Sequence, residues 1–249
     1  MHKRKGIGLI EVLVAVSIFA LLVSLMTFSA GTVRRKAKQL ICRSNLRQYS
    51  LAARMYVDNN EGHYPDAEKW LFKEGATGNP NRWHDKQFDI GKNNSLGGAL
   101  WPCLAAKNVH VCPTFKTIAK LKGCQYCNDS IIKIEPQYSY SMNAYLGVGN
   151  HKKIETEDMV KKTHKIFLFS EENTWVIDGL NKTPFNDNSL LATKNGQNNC
   201  FATFHEAKIG ETNKGYAYAA FVDGRVDRVC AWDKQDASYQ LAWPLEKEN

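Results

Sequence analysis

The chain has 249 residues, a pI near 9.0 and a formal net charge of +8. Much of this positive charge flanks one apolar run, at residues 3–5 and 34–38. This distribution favours contact with lipid headgroups and argues against a nucleic-acid footprint. The residues that follow Gly31 are numerous enough for one sizeable domain with its own hydrophobic core.

The first predicted element is a helix that opens with an apolar run from Ile7 to Ala30. At ~1.5 Å per residue, this run can cross a bilayer core of about 30 Å. Glu11 is its one formally charged residue, and an unpaired carboxylate in such a segment costs roughly 2.5–3.5 kcal/mol or more. A plain membrane anchor explains the length but not Glu11. The run is too long for the core of a cleaved secretory signal peptide.

The helical pattern continues past Gly31 to about Val57, and turn-forming residues up to Gly62 end it. The second half of this helix is predicted to be amphipathic and to pack against the rest of the chain. The stripe expected to face that domain consists of Val33, Ala37, Leu40, Ile41, Ser44, Gln48, Leu51, Ala52 and Met55.

The remaining chain is predicted to form long loops followed by strands. Residues 165–170 are typical of a buried strand, and Glu171 and Glu172 after it are expected at a solvated strand end. Residues 178–199 are predicted to be an Asn-rich loop. The clearest hairpin spans residues 216–231, because Asp-Gly at its centre suits a type I′ turn.

Seven cysteines are expected to form disulfides if this domain is extracytoplasmic. Their odd number leaves at least one thiol free or intermolecular, and the pairing cannot be deduced from sequence. The single Cys-x-x-Cys pair lacks the second pair that a zinc ribbon needs, so a disulfide is the default there. The candidate disulfide residues are Cys42, Cys103, Cys112, Cys124, Cys127, Cys200 and Cys230.

Catalytic motifs are missing: the sequence has no nucleophile elbow, no P-loop, no GxGxxG and no HExxH. We therefore expect that the chain is not an enzyme and that it has no resident cofactor. A membrane-anchored enzyme, the competing class, would need a pocket in which titratable groups converge.

The segment Lys5-Gly6-Ile7-Gly8-Leu9-Ile10-Glu11 resembles the class III signal of type IV prepilins and type II secretion pseudopilins. The resemblance implies that a prepilin peptidase cleaves between Gly6 and Ile7 and N-methylates Ile7. Glu11 is then the fifth residue of the mature chain. It would pair with the Ile7 amine of a neighbouring subunit and set the axial register, as one buried polar residue does in a coiled coil.

Further stretches are similar to prepilin-like proteins of planctomycete and lentisphaera-type bacteria. In that group, a His lies about ten residues before a late Asp-Gly, whereas His205 precedes Asp223 by eighteen. The stretches that carry the similarity are residues 42–48, residues 55–65, Val111-Cys112-Pro113, Ser139-Tyr140-Ser141-Met142-Asn143 and Phe221-Val222-Asp223-Gly224-Arg225-Val226.

The fold implied is pilin-like α+β, with one long N-terminal helix packed on an antiparallel β-sheet head that carries long loops. Residues 1–6 would be the leader peptide and 7–31 a transmembrane or filament-core helix. Residues 32–62 would be its amphipathic second half, and 63–249 the globular head.

The function implied is that of a structural subunit of a type IV pilus-like or type II secretion pseudopilus filament. Its partners would be other pilin or pseudopilin subunits, the prepilin peptidase, the inner membrane and the assembly platform, with no nucleic acid. The precursor would cross the inner membrane once, N-terminus cytoplasmic and head extracytoplasmic, before joining a periplasmic or cell-surface filament. The alternative is a minor, tip-located pilin whose head binds DNA, a glycan or a secreted substrate.

Some pseudopilins bind calcium in their C-terminal loops, and by that resemblance a structural Ca²⁺ is a weaker prediction. The oxygen-rich candidates for it are Asp223, Asp227 and Asp187.

Overall fold

The structure is a computed structural model, and it describes most of the chain. The described residues are 8–74, 82–104, 109–125, 127, 132–151, 153–177, 186–193, 199–208, 211, 213–230 and 236–242, without the side chains of 25–30, 94, 236 and 237. Gly6 and Ile7, the predicted cleavage and methylation residues, lie outside this range. The chain divides into two compact units, Met1–Leu40 and Ile41–Asn249.

The long predicted helix, α1, spans Leu9–Asn59. Beyond its end, Gly62 adopts a positive φ of 83° and donates its N–H to the carbonyl of Val57 at 3.0 Å. This left-handed cap is the one that the turn-forming sequence predicts. Within the part of the chain that the structure describes, no helix combines the length and apolarity needed to span a membrane.

The buried face of α1 in the second unit differs from the predicted stripe. Cys42, Leu46, Tyr49 and Val57 are at most 2% exposed, whereas Leu51 is 63% exposed. Of the predicted stripe, only Ala52 is buried. The prediction was wrong because the packed face is fixed by distant partners in the head, which Cys42, Asn45 and Tyr49 contact through polar atoms.

The head contains a five-stranded sheet with the strand order β3-β1-β2-β4-β5. The pairs β1–β2, β2–β4 and β4–β5 are antiparallel, and β1–β3 is parallel. The strands are β1 (Tyr140–Asn143), β2 (Phe167–Glu171), β3 (Ser189–Leu190), β4 (Ala217–Phe221) and β5 (Val226–Val229). The further α-helices are α2 (Pro113–Lys122) and α3 (Asp236–Ala242). Short 3₁₀ helices cover Lys86–Phe88, Asn94–Leu96, Trp101–Cys103 and Glu157–Met159.

The prediction of an antiparallel sheet is therefore wrong at one edge, where β3 makes the sheet mixed. This strand lies inside the stretch predicted to be an Asn-rich loop. Two residues are too few to show a strand period. Its position is set by distant partners: Trp70 Nε1–H donates to the Asn188 carbonyl at 2.7 Å, and the Tyr138 hydroxyl donates to the Asn186 carbonyl at 2.9 Å.

The predicted hairpin is confirmed, with β4 paired to β5 and Ala220 opposite Val226. Its turn is not type I′, because only Gly224, at φ 85°, has a positive φ there among the described residues. Gly224 N–H donates to the Phe221 carbonyl at 2.9 Å, and Phe221 N–H donates to the Arg225 carbonyl at 2.8 Å. This is a three-residue loop closed by a glycine bulge, for which one left-handed residue is sufficient.

Every residue of β1, β2, β3 and β4 is buried, whereas Asp227 and Arg228 of the edge strand β5 are exposed. Rings pack around Tyr49 of α1 on one face, with centroid distances of 5.1 Å to Trp70, 5.3 Å to Phe169 and 5.5 Å to Tyr140. A second cluster that includes Phe167 and Phe201 covers the other face. This burial explains the continuous apolar run that predicted β2.

Two leucines on α1 provide a test of which helix face is packed. Leu46→Ala is expected to lower the free energy of unfolding by about 2–4 kcal/mol, because it leaves a cavity in the core. Leu51→Ala should change it by less than about 0.5 kcal/mol, because Leu51 is exposed. Both values are measured by urea unfolding in detergent. Equal losses for the two variants would contradict the observed register of the helix.

Candidate functional site

Glu11 lies in the first turn of α1, with an exposed side chain. Its Oε2 accepts a hydrogen bond from the Gly8 N–H at 3.0 Å. A glutamate at the third helical position that reaches back to the N-cap N–H forms one half of a capping box. The carboxylate thus caps its own helix, and its exposure leaves it free to accept a second partner from another chain.

The second candidate site is a cluster of four fully buried side chains in the head, which we call the buried cluster: Cys42, Cys112, Glu171 and His205. Each offers one metal-ligand atom, and these atoms all lie within 4.8 Å of one another.

Four different parts of the fold position the buried cluster. Cys42 lies on α1, Cys112 is the N-cap of α2, and Glu171 ends β2. His205 pairs with Tyr216 in an isolated β-bridge beside β4. Next to that bridge, a Cβ on Gly215 would overlap the carbonyl oxygen of His205, so the close approach requires glycine.

Glu171 is the centre of the buried cluster. Its Oε1 and Oε2 lie 3.0 and 2.9 Å from His205 Nε2. Cys42 Sγ lies 3.0 Å from Glu171 Oε1, and Cys112 Sγ lies 3.9 Å from His205 Nε2. The backbone N–H of Tyr218 donates to Oε2 at 3.3 Å. The cluster is therefore one connected set of contacts.

Neighbouring groups hold these side chains in position. The His205 ring stacks on Tyr216 at 5.5 Å with an interplanar angle of 23°, and Tyr218 packs edge-on at 5.1 Å. His205 Nδ1 has no hydrogen-bond partner among the described residues. The backbone N–H of Cys112 donates to Ser139 Oγ at 2.8 Å. Ring packing thus fixes the orientation of the imidazole.

Burial and proximity act against each other on the ionisation of the buried cluster. Burial disfavours the charged form of His205, but the Glu171 carboxylate outweighs it and raises the pKa of the imidazole to about 11. Burial likewise opposes ionisation of Glu171, yet His205 holds the pKa of that carboxyl below its usual value. With no metal bound, the two form a buried ion pair, which is costly to desolvate.

The two thiols of the cluster shift in opposite directions. Burial raises the pKa of Cys42 well above its ordinary value. Burial also acts to raise the pKa of Cys112, but hydrogen bonding to Cys42 and the neighbouring His205 bring it below the ordinary value. Cys112 is therefore the thiol of the pair that ionises more readily.

The prediction that Glu171 and Glu172 lie at a solvated strand end is wrong, because both are fully buried. Glu172 Oε2 accepts a hydrogen bond from Ser141 Oγ at 2.6 Å, and burial raises the pKa of its carboxyl well above 4.5. In the sequence, the only indication of a buried role was that these two acids directly follow an apolar strand. Their role depends on partners that no local pattern identifies.

The cysteines outside the cluster include one bonded pair. Cys124 and Cys127 form a disulfide, and His84 Nε2 lies 2.8 Å from Cys127 Sγ. The structure leaves the other five cysteines as free thiols: Cys42, Cys103, Cys112, Cys200 and Cys230. Further disulfides among the candidates remain a prediction.

The three calcium candidates do not come together. Asp223 and Asp227 lie at the β4–β5 turn, where Arg225 contacts both carboxylates at 3.8 and 2.6 Å. Asp187 lies two residues before β3, at the opposite edge of the sheet. The three carboxylates cannot share one ion, and calcium remains a prediction for the separate positions.

The head also has an open cavity of about 900 Å³, whose lining includes Lys116, Lys120, Lys133, Asp89 and Glu135. Charges of both signs line it, so it does not select a ligand of one charge. The absence of enzymatic activity and the alternative of a binding head both remain predictions.

The raised pKa of Asp187 predicts that the stability of the head depends on pH. Burial raises the pKa of its carboxyl from 3.8 to about 6. The folded state therefore holds this proton more tightly than the unfolded state, and stability falls as pH rises from about 4 to about 6. Asp187→Asn removes the titration and keeps Oδ1 as acceptor for the Ser189 N–H. Relative to the unaltered chain, we expect this variant to gain about 1–3 kcal/mol on going from about pH 4 to about pH 7. Urea unfolding at each pH measures this, and parallel pH profiles would contradict it.

Comparison with known proteins assigns the N-terminal segment. Residues 1–27 match the family model described as the prokaryotic N-terminal methylation motif. No curated protein and no solved structure matches the chain. The similarity to one bacterial group of prepilin-like proteins remains a prediction. The motif spans the predicted cleavage position and Glu11, and it supports the likeness of the chain to type IV prepilins and pseudopilins.

Proposed function

We propose that the chain is a structural subunit of a type IV pilus-like or type II secretion pseudopilus filament. The observation that carries this proposal is the methylation motif at residues 1–27, which opens an unbroken helix with Glu11 in its first turn. By this proposal, a prepilin peptidase removes residues 1–6 and methylates Ile7. An assembly platform in the inner membrane then adds the mature chain to the filament.

The side chains of the first unit support assembly through this helix. Leu9 is 84% exposed, Ile10 77% and Phe19 68%. Such a continuous apolar surface is unfavourable in water, at roughly 25 cal/mol per Å². Lipid before assembly and neighbouring helices after it are two apolar environments for the same surface. Transfer between them can therefore be close to balanced in free energy.

Glu11 supplies the specificity that apolar packing lacks. Hydrophobic contact is non-directional, so a bundle of such helices has no preferred axial offset. After cleavage, the amine of Ile7 is a cation, and a carboxylate on a neighbouring chain is its natural partner. An unpaired charge in an apolar bundle is costly, so the pairing selects one register.

The first test of this proposal is the mature N-terminus. We expect intact and peptide mass spectrometry of the chain from its native cells to show that it begins at N-methylated Ile7. An intact Met1 would leave a permanent anchor. A start near Gly31 would indicate ordinary secretion, and either result would contradict the filament proposal.

Two variants at Glu11 separate charge pairing from helix capping. Glu11→Ala removes both, whereas Glu11→Gln keeps an oxygen that can accept from the Gly8 N–H and lacks the charge. We expect both variants to be cleaved normally and to reach sheared filaments at less than about a tenth of the unaltered level. Loss of a charge pair that contributes about 1.4 kcal/mol or more lowers the equilibrium constant for incorporation by about tenfold or more. Normal incorporation of Glu11→Gln would show that Glu11 acts as a helix cap and does not set the axial register of neighbouring subunits.

A further inference from the structure

We propose that the buried cluster (Cys42, Cys112, Glu171 and His205) is a four-coordinate structural site for one Zn²⁺ ion. This inference is independent of the filament proposal, since it concerns the head alone. Two cysteines, one histidine and one carboxylate are all established zinc ligands. With bonds of about 2.0–2.3 Å, a tetrahedral zinc places its ligand atoms about 3.3–3.8 Å apart. The four ligand atoms lie within 4.8 Å of one another, so small side-chain movements close the shell.

The burial of the site indicates a structural rather than a catalytic metal. All four side chains are fully buried, and four protein ligands complete a tetrahedron. A catalytic zinc keeps one position open for water or substrate. Calcium is excluded by the same chemistry, because it takes six to eight oxygen ligands and the cluster offers only the carboxylate oxygens of Glu171.

Zinc replaces the His205–Glu171 ion pair of the metal-free cluster with bonds from all four side chains to one cation. On binding, both thiols lose their protons to water and the imidazole becomes neutral. Two thiolates and a carboxylate then face a doubly charged cation. The site then carries one net negative charge, and the N-terminus of α2, whose N-cap is Cys112, provides a positive helix-dipole end beside it.

The surroundings already orient the ligands as a second shell does. The Tyr218 N–H occupies Glu171 Oε2, which leaves Oε1, 3.0 Å from Cys42 Sγ, as the ligand oxygen. Stacking on Tyr216 aims His205 Nε2 at the same point. Outer contacts of this kind are what fix metal-ligand geometry.

The ion would join parts of the chain that are far apart in sequence. Cys42 and Glu171 are 129 residues apart, and Cys112 and His205 are 93 apart. One zinc would thus tie α1 and the start of α2 to the end of β2. Binding to the folded state alone adds stability in proportion to the logarithm of metal concentration over Kd.

The first experiment measures metal in the full chain purified in detergent from cells supplied with zinc. We expect inductively coupled plasma mass spectrometry to find about one zinc per chain, retained after dialysis against EDTA and released on unfolding. Unfolding with EDTA and refolding with Co²⁺ should give the visible bands of a tetrahedral site and a thiolate-to-cobalt charge-transfer band. This measurement uses the unaltered protein and does not depend on whether a variant folds.

Matched variants assign the ligands. Cys42→Ser and Glu171→Gln should reduce the zinc content from about one ion per chain to less than about a tenth. Cys200→Ser and Glu172→Gln replace equally buried groups outside the cluster and should keep the full content. If the two ligand variants do not fold, the cobalt spectrum of the unaltered chain decides.

Two results would overturn the proposal. The first is a Cys42–Cys112 disulfide, found as a linked peptide after alkylation and non-reducing digestion of the native protein. The second is a folded, thiol-containing chain that takes up neither zinc nor cobalt, which would leave the His205–Glu171 ion pair as the whole role of the cluster. Neither result bears on the mature N-terminus or on filament assembly.

Discussion

The head depends on one constraint: a fully buried carboxylate at the end of a central strand must be compensated inside the protein. Glu171 ends β2, and its carboxylate contacts His205, Cys42 and the backbone N–H of Tyr218. Without such partners, the free-energy cost of burying a charge is prohibitive. The positions of α1, α2 and the His205 bridge are therefore linked, because each delivers one group to the same point.

The same requirement explains which face of α1 packs in the head. Tyr49 places its hydroxyl 2.7 Å from His110 Nδ1, and Asn45 Nδ2–H donates to the Tyr140 hydroxyl at 3.3 Å. Cys42 lies on the same face. A buried polar atom left unpaired costs about 1–3 kcal/mol, which is comparable to the contribution from burying one aliphatic side chain. The packed face combines these paired polar groups with Leu46 and Val57, and Leu51 and Met55 are left exposed.

Features set by local chemistry could be predicted from the sequence. The length of α1, the glycine that caps it, strand β2 and the β4–β5 hairpin all follow from patterns within a few residues. Strand β3 and the packed face of α1 could not be predicted, because distant contacts decide them. The turn between β4 and β5 was predictable only in part. Asp223-Gly224 correctly indicated a hairpin, but the register of the strands decided whether one or two residues take a positive φ.

The two candidate sites differ in the same way. The N-terminal site is a linear motif of consecutive residues, and so the sequence revealed it. The buried cluster has no motif, because its members are 34 to 163 residues apart. The zinc spacing that the sequence analysis tested was that of a zinc ribbon, and it concerned Cys124 and Cys127, which form a disulfide with each other.

One helix thus meets two opposite demands along its length. In the first unit, the helix exposes apolar side chains, and by the filament proposal a single carboxylate, Glu11, gives direction to otherwise non-directional packing. In the second unit, the helix contributes a thiol and a hydroxyl to a sealed, polar-centred core. The stability of the head therefore does not rely on the exposed apolar surface of the first unit, which the proposed assembly would use.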